Sequence, residues 1–189
     1  MLADVPVHVV TDRAAKALSE TVTPVGLVAV CSVPETTLSD VLAKSPRLVA
    51  VAVEISEPGN AGTLMRIADA MGADAVVLAG NSVDPYNGKC LRASAGSIFT
   101  IPVVSEPAAV EAVAALGDAG LQVVAAVVDG EVSRDDADLS GPTAWLIALT
   151  TSGWLTPVEL TAMPAAQSRK RLPSTSSTTA PSPRAMTNG

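Results

Sequence analysis

The chain has 189 residues, 48% of them hydrophobic, enough for one α/β domain with a substantial core. Aromatic residues make up only 2%, so an RNA-binding surface that stacks bases on aromatic rings is not expected. Residues 1–163 carry 19 acidic and eight basic side chains, 8 − 19 = −11, within a net charge of −7 for the whole chain, which makes this body a poor general binder of phosphate.

Particular residues and segments exclude further classes of protein, among them metal-binding and membrane proteins. His8 is the single histidine, so zinc sites and histidine-based triads are not expected, and the partners should include no metal. Cys31 and Cys90 lack metal-ligand spacing and are predicted to be buried free thiols. No apolar run reaches the roughly 18 residues of a membrane helix, and no signal peptide is visible, so we expect a cytoplasmic protein without a membrane partner.

The first elements are short. Val5–Val10 reads as a strand, and Thr11 as the cap of a helix over Arg13–Ser19. Leu27–Cys31 is predicted to be a second strand and Thr37–Ala43 a short helix.

A β-α-β unit follows. Arg47–Ile55 (RLVAVAVEI) is almost continuously apolar, which is typical of a strand covered on both faces. Pro58-Gly59-Asn60 breaks it, and a helix is predicted from Gly62, with Arg66 near its start and off its apolar stripe. That stripe consists of Leu64, Ile67, Ala68 and Met71. The next strand is Asp74–Leu78.

Strands and helices continue to alternate. The predicted elements are a turn at Asp84–Asn87 before a capped helix, strand Ile101–Val104, helix Glu106–Leu116, strand Leu121–Val128, an acidic loop over Asp129–Gly141 and strand Ala144–Leu149. This order predicts an α/β fold, a parallel sheet with helices on both faces. From Pro164 the chain is rich in Ser, Thr and Pro and is predicted to be disordered.

Two segments of the centre carry a resemblance. EPGNAGTLMRIADAMGADAVVL and NSVDPYNGKCLRASAGSIF resemble the SpoU/TrmH family of RNA ribose 2′-O-methyltransferases, of the knotted SPOUT class. The resemblance covers roughly residues 20–145. It implies S-adenosylmethionine as cofactor, RNA, expected to be ribosomal, as substrate, and a homodimer. Residues 1–35 would then be the end of an N-terminal RNA-binding domain, 36–163 the SPOUT domain and 164–189 a disordered tail.

The resemblance assigns Arg66 and Asn60 to catalysis. The family's matching arginine is held to act at the ribose hydroxyl, and one role that the resemblance implies for it is that of the base. A guanidinium stays protonated, so orienting a neighbouring phosphate is the less demanding role. Without the motif, Arg66 would be an ordinary surface residue, Asn60 a helix cap, and Glu57 a loop carboxylate near the positive helix end.

The resemblance also implies binding positions. Those for the cofactor are Ala79, Gly80, Ala148 and Gly153, and those for RNA are Lys89, Arg92 and Ser94. For Arg92 and Ser94 a structural role in the turn and cap is an equal alternative.

The chain departs from the family near its last strand. The family carries a glycine-asparagine-glutamate signature followed by a glycine, and here Ile147–Gly153 keeps only Gly153. Thr156–Leu160 resembles the helix that normally follows, but nothing beyond Met163 resembles the family's last loop. We therefore expect an incomplete C-terminal knot and weak cofactor binding. The alternatives are a non-catalytic RNA-binding or dimerisation remnant and an unrelated nucleotide-binding domain, the latter disfavoured because no phosphate loop is present.

Overall fold

The structure is a computed structural model that describes residues 6–19, 21, 26–127, 132–133, 137–148 and 159–163. Its helices are α1 (Asp12–Leu18), α2 (Leu38–Leu42), α3 (Pro58–Ala70), α4 (Gly88–Ser94) and α5 (Ala109–Asp118), with a 3-10 turn at Ser97–Phe99. Its strands are β1 (Leu48–Val53), β2 (Ala75–Ala79), β3 (Val103–Glu106), β4 (Gln122–Val127), β5 (Val132–Ser133), β6 (Thr143–Ala148) and β7 (Glu159–Met163). The predicted disordered tail and Gly153 lie outside the described residues.

The strands form one sheet in the order β3-β2-β1-β6-β4-β7-β5. The five strands from β3 to β4 are parallel, which confirms the predicted architecture. The chain builds β1, β2 and β3 in one direction and then places β4 and β6 on the other side of β1. Such a reversal of strand order creates a switch point, here between β1 and β6, where open α/β sheets bind ligands at the carboxyl ends of strands.

The far edge of the sheet differs from the prediction. β7 pairs antiparallel with β4, and β5 with β7, so the sheet is mixed rather than wholly parallel. The predicted helix over Thr156–Leu160 is wrong at its end, because Glu159 and Leu160 belong to β7. The alternation of polar and apolar residues in Glu159–Met163 suits an outer strand.

Helices cover both faces of the sheet, as predicted. On one face, Leu38 and Val41 of α2 and Val113 and Leu116 of α5 pack on Val51 and its neighbours. On the other, α3 and α4 pack on Ala52, Val76 and Leu78. β1 and β2 are buried almost throughout, which explains their near-continuous apolar sequence.

Helix α3 begins four residues earlier than predicted. Glu57 is its N-cap and Pro58 its first residue, a position that proline favours. The buried face consists of Ala61, Gly62, Leu64, Met65 and Ala68. The predicted stripe was therefore half wrong, since Ile67 is 48% and Met71 72% exposed.

The N-terminal segment also corrects the sequence analysis. Helix α1 is present with the predicted Thr11 cap, whose hydroxyl accepts a hydrogen bond from Ala14 N. The predicted strands at Val5–Val10 and Leu27–Cys31 are wrong, because described residues 6–10 and 27–31 form no strand and are exposed. An apolar run predicts a strand only if a neighbouring strand covers it, and neither run has one among the described residues.

The two thiols consequently lie in opposite environments. Cys31 is exposed, against prediction, whereas Cys90 is fully buried in α4. Burial, reinforced by the negative charges of Asp84 and Glu57, raises the pKa of Cys90 to about 11.

We expect iodoacetamide at pH 8 to label Cys31 and to leave Cys90 unmodified in the folded chain, because the reagent needs an accessible thiolate. Mass spectrometry should show a single adduct, none in Cys31→Ser, and two in the wild-type chain unfolded in guanidinium. Rapid labelling of folded Cys31→Ser would contradict the burial of Cys90.

Helices α3 and α4 cross at Gly62. A Cβ atom there would lie 2.5 Å from the carbonyl oxygen of Cys90, 2.6 Å from Ala93 Cβ and 2.8 Å from Ser94 N. Two of these neighbours are backbone atoms, so the helices would have to separate. Gly62 thus sets the position of the helix that carries the motif.

Gly62→Ala should destabilise the fold by about 1–3 kcal/mol, the usual cost of overpacking a core. Chemical unfolding gives the free energy directly. Gly141→Ala is the control, since a Cβ there meets nothing within 4 Å. Equal stability of the two variants would mean that α3 and α4 are not in close contact.

Candidate active site

The carboxyl ends of three strands meet at the switch point. Val53, the last residue of β1, is paired in register with Ala79 of β2 on one side and Ala148 of β6 on the other. Two strand spacings of about 4.8 Å each separate Ala79 from Ala148. Two of the predicted cofactor positions therefore flank one residue, while Gly153 lies outside the described residues.

Glu54 follows directly after Val53 and was missed by the sequence analysis. Its φ of 57° is in the left-handed region, which costs a non-glycine residue roughly 1 kcal/mol. Its Oε1 accepts a hydrogen bond of 3.2 Å from Asn81 N. Nothing in the sequence signals this, beyond a charged residue that interrupts an apolar run.

The Glu54 carboxylate also approaches Gly80, the residue that follows β2. The φ of Gly80 is +70°, and a Cβ atom there would lie 2.4 Å from Glu54 Oε1. The space that the missing side chain leaves is taken by the carboxylate of the same chain. The structure thus gives Gly80 a conformational role, and its predicted contact with the cofactor stays a prediction.

The first turn of α3 is held by Glu57. Its Oε2 accepts a 2.8 Å hydrogen bond from Asn60 N, so Glu57, and not Asn60, caps the helix. The Asn60 side chain is half-buried and makes no hydrogen bond to the part of the chain that the structure describes. Its amide is therefore available to a ligand.

Lys89 joins α4 to this turn. Its ammonium forms an ion pair with Glu57 Oε1. The hydrogen bond from Lys89, followed by that from Asn60 N, lowers the pKa of Glu57. A lowered pKa makes the carboxylate stabilise the fold at neutral pH, and this contribution is lost as the pH falls through the folded pKa. Lys89, predicted to bind RNA, thus has a partner within the chain.

Arg66 is exposed on α3 and makes no hydrogen bond or ion pair to any described residue. The sequence analysis placed Arg66 near the helix start, and this prediction is wrong because α3 begins at Pro58. Six residues separate it from Asn60, a rise of about 9 Å and a rotation of about 120° around the axis. The Cα–Cβ bond of a helical residue leans towards the helix N-terminus, which in α3 lies at the carboxyl edge of the sheet.

The other two predicted RNA contacts differ from each other. Arg92 is exposed in the last turn of α4, whereas Ser94 is fully buried and donates a 2.8 Å hydrogen bond to the Leu91 carbonyl. Ser94 also lies against Gly62. The geometry favours the structural alternative for Ser94.

A cavity of about 340 Å³ lies beside this site, at the carboxyl ends of β2 and β3. The loop between β2 and α4 and the loop after β3 form its walls. Its polar lining consists of Ser82, Asp84, Ser105 and Glu106. No sequence pattern pointed to it, because the two loops are separate in the chain.

The fold and site together define an α/β domain in which a motif helix leaves the switch point of a parallel sheet. Residues 47–148, more than half of the chain, match the model of the SpoU rRNA Methylase family. The chain belongs to this family. This confirms the resemblance seen in the sequence.

Individual relatives agree. The chain is 43% identical over 97 residues to the 23S rRNA (guanosine(2553)-2′-O)-methyltransferase RlmP of Bacillus subtilis, covering 51% of this chain and 37% of that protein. It is 34% identical over 135 residues to the 23S rRNA (uridine(2479)-2′-O)-methyltransferase of Streptomyces viridochromogenes, covering 69% and 47%. The chain thus spans less than half the length of either relative.

A solved structure gives the same result. The SpoU methyltransferase AviRb from Streptomyces viridochromogenes in complex with the cofactor AdoMet is 34% identical, with a TM-score of 0.50, covering 57% of this chain and 44% of that one. The SPOUT-type α/β fold is thereby confirmed. In the part of this chain that is described, no helix is long and apolar enough to cross a membrane.

The residues at the switch point fit S-adenosylmethionine, a cation at its sulfonium and ammonium groups. The Glu54 carboxylate there has an exposed position, and one of its oxygens has no partner among the described residues. The Ala79 carbonyl, by contrast, already accepts hydrogen bonds from Glu54 N and Ser82 Oγ. A carboxylate matches a cationic ligand better than a phosphate, which needs N–H donors or basic side chains.

Proposed function

We propose that this chain is a ribose 2′-O-methyltransferase domain that transfers a methyl group from S-adenosylmethionine to ribosomal RNA. The observation that carries the proposal is helix α3, which leaves the switch point with Asn60 in its first turn and Arg66 further along. The side chains of both residues have no partner among the described residues. Membership of the SpoU family, and the 2′-O-methyltransferase names of the relatives, support the reaction type.

Arg66 is proposed to bind the RNA at the reacting ribose. A guanidinium group carries only N–H donors and no acceptor, so the proposed role of Arg66 is to donate hydrogen bonds rather than to remove the hydroxyl proton. A phosphate next to the ribose would accept two parallel N–H bonds, which fixes the orientation of the 2′ oxygen. Asn60, whose backbone N–H is held by the Glu57 cap, supplies a second contact, which is uncharged.

Ala79, Ala148 and Gly153 are proposed to hold the cofactor by backbone contacts, with Gly80 shaping the edge. S-adenosylmethionine, when bound, supplies an activated methyl group. The chain's own contribution is to fix the ribose in line with that group, which is where most of the rate gain of such a site arises.

A second candidate is a non-catalytic RNA-binding or dimerisation module. The observation that favours it is the stretch Ile147–Gly153, which lacks the family's asparagine and glutamate. Tritium transfer from labelled cofactor to ribosomal RNA, with transfer RNA in parallel, tests the proposal. Incorporation at a ribose 2′ oxygen supports the enzyme, and RNA crosslinking without incorporation supports the module.

We also propose that the protein works in the cytoplasm as a homodimer and that residues 1–35 end an N-terminal RNA-binding domain. Exposed apolar side chains support self-association: Ile67 and Met71 at the end of α3, and the 74% exposed Phe99 in the 3-10 turn. Light scattering of the chain and of Phe99→Ser compares the two masses. A monomer in both would remove this part of the proposal.

A further inference from the structure

The cavity at the ends of β2 and β3 extends away from the switch point, although Gly80, one of its lining residues, belongs to the proposed cofactor edge. It lies on the β2 side of β1, whereas the proposed cofactor edge extends to β6 on the other. It is nevertheless tied to the motif, because Val83 in its wall donates a 2.8 Å hydrogen bond to the Ile55 carbonyl. Ile55 lies two residues before the Glu57 cap. A ligand here would sit next to the RNA-binding helix start.

The polar lining is rich in hydrogen-bond acceptors. Asp84 Oδ1 accepts a 2.9 Å hydrogen bond from Tyr86 N, and Glu106 Oε1 accepts one of 3.3 Å from Ala108 N. Each carboxylate is thus oriented by one oxygen, and its other oxygen has no partner among the described residues. Both acceptors are held in place before any ligand arrives.

The remaining lining is neutral. Pro85, Pro107, Leu78 and Val83 give apolar walls, and Ser105 adds an uncharged hydroxyl. Ser82 is occupied, since its Oγ donates to the Ala79 carbonyl at 2.7 Å and accepts from Ile55 N at 3.2 Å. A planar apolar ligand with N–H donors on one edge therefore matches the cavity.

Two other ligand classes match it less well. No lysine or arginine lines the cavity, so a phosphate would meet only negative charge. A divalent cation needs about six oxygen ligands, and no group of three or more potential acidic, cysteine or histidine ligands occurs among the described residues.

We propose that this cavity binds a guanine base of the RNA substrate, with the carboxylates of Asp84 and Glu106 accepting from its N1–H and exocyclic amino group. The inference rests on the proposed function, because it assumes an RNA substrate. Guanine presents these two donors side by side, whereas uracil presents one N–H between two carbonyls. Unstacked bases in RNA are read in this way on their Watson–Crick edges.

Amide NMR of the full chain, titrated with guanosine monophosphate and inosine monophosphate, tests the inference. The two nucleotides differ only in the exocyclic amino group, so phosphate effects cancel. We expect signals of the two cavity loops to shift, with about tenfold tighter binding of the guanosine nucleotide, the scale of one specific base contact.

Asp84→Asn and Glu106→Gln keep the oxygen that orients each loop and remove the charge. The variant that changes the acceptor of the exocyclic amino group should abolish the preference. The other variant should weaken both nucleotides alike, because both carry N1–H. Glu111→Gln, at an exposed position of α5, should leave both affinities unchanged. Equal binding of the two nucleotides, or shifts caused by S-adenosylmethionine alone, would overturn the inference. A retained guanine preference without methyl transfer would instead count against the proposed function only.

Discussion

In a form of the chain with the family signature introduced between Ile147 and Gly153, Arg66→Ala is expected to abolish methyl transfer, a loss of at least about a hundredfold, and to leave the stability within about 0.5 kcal/mol. The reason is the position of the side chain, which is exposed and unpaired among the described residues, so its removal costs the fold no contact. The same residue supplies the charged donors proposed to orient the RNA. Tritium transfer and thermal unfolding measure the two effects.

Arg47→Ala is the matched control. Arg47 is also exposed, but it precedes β1 and lies at the amino edge of the sheet, opposite the site. Both variants should be assayed in the chain as given and in a form with the family signature introduced between Ile147 and Gly153. Full activity of Arg66→Ala in either form would reduce Arg66 to a surface residue.

The chain as given should bind S-adenosylmethionine weakly, with a dissociation constant well above micromolar. Three strand ends alone do not enclose a ligand, and Leu149-Thr150-Thr151 lacks the amide and carboxylate of the family signature. A site that is loose by about one ångström already loses much of its power. Introducing the signature should raise the affinity.

Isothermal titration of both forms measures the difference. Their thermal unfolding shows whether each is folded. A micromolar dissociation constant for the chain as given, about −8 kcal/mol, would mean that residues outside the described ones complete a pocket. Tritium transfer to RNA should then be detectable without any change to the chain.

The sequence predicted the centre of the fold well because local pattern and tertiary burial agree there. β1 and β2 are apolar throughout since both of their faces are covered, and α5 is an alanine-rich helix where one was predicted. The predictions failed where the two disagree. Val9 and Val30 belong to apolar runs, yet both are almost fully exposed.

The candidate site was predictable only in part. The motif identified Asn60 and Arg66. The start of their helix was misplaced, because a helix start is located by its capping residue and Glu57 was not recognised as the cap. Glu54 and the cavity escaped notice because they depend on loops brought together by the sheet. The Lys89–Glu57 ion pair spans 32 residues of sequence and has no local signature.

The contact between Glu54 and Gly80 links the two positions in evolution. A Cβ atom at position 80 would meet the end of the Glu54 side chain, so a larger residue there requires that carboxylate to turn away or to be lost. A larger residue would also meet the left-handed backbone of position 80, which favours glycine. Substitution at position 80 is therefore opposed by two independent features, and changing position 54 removes only one of them.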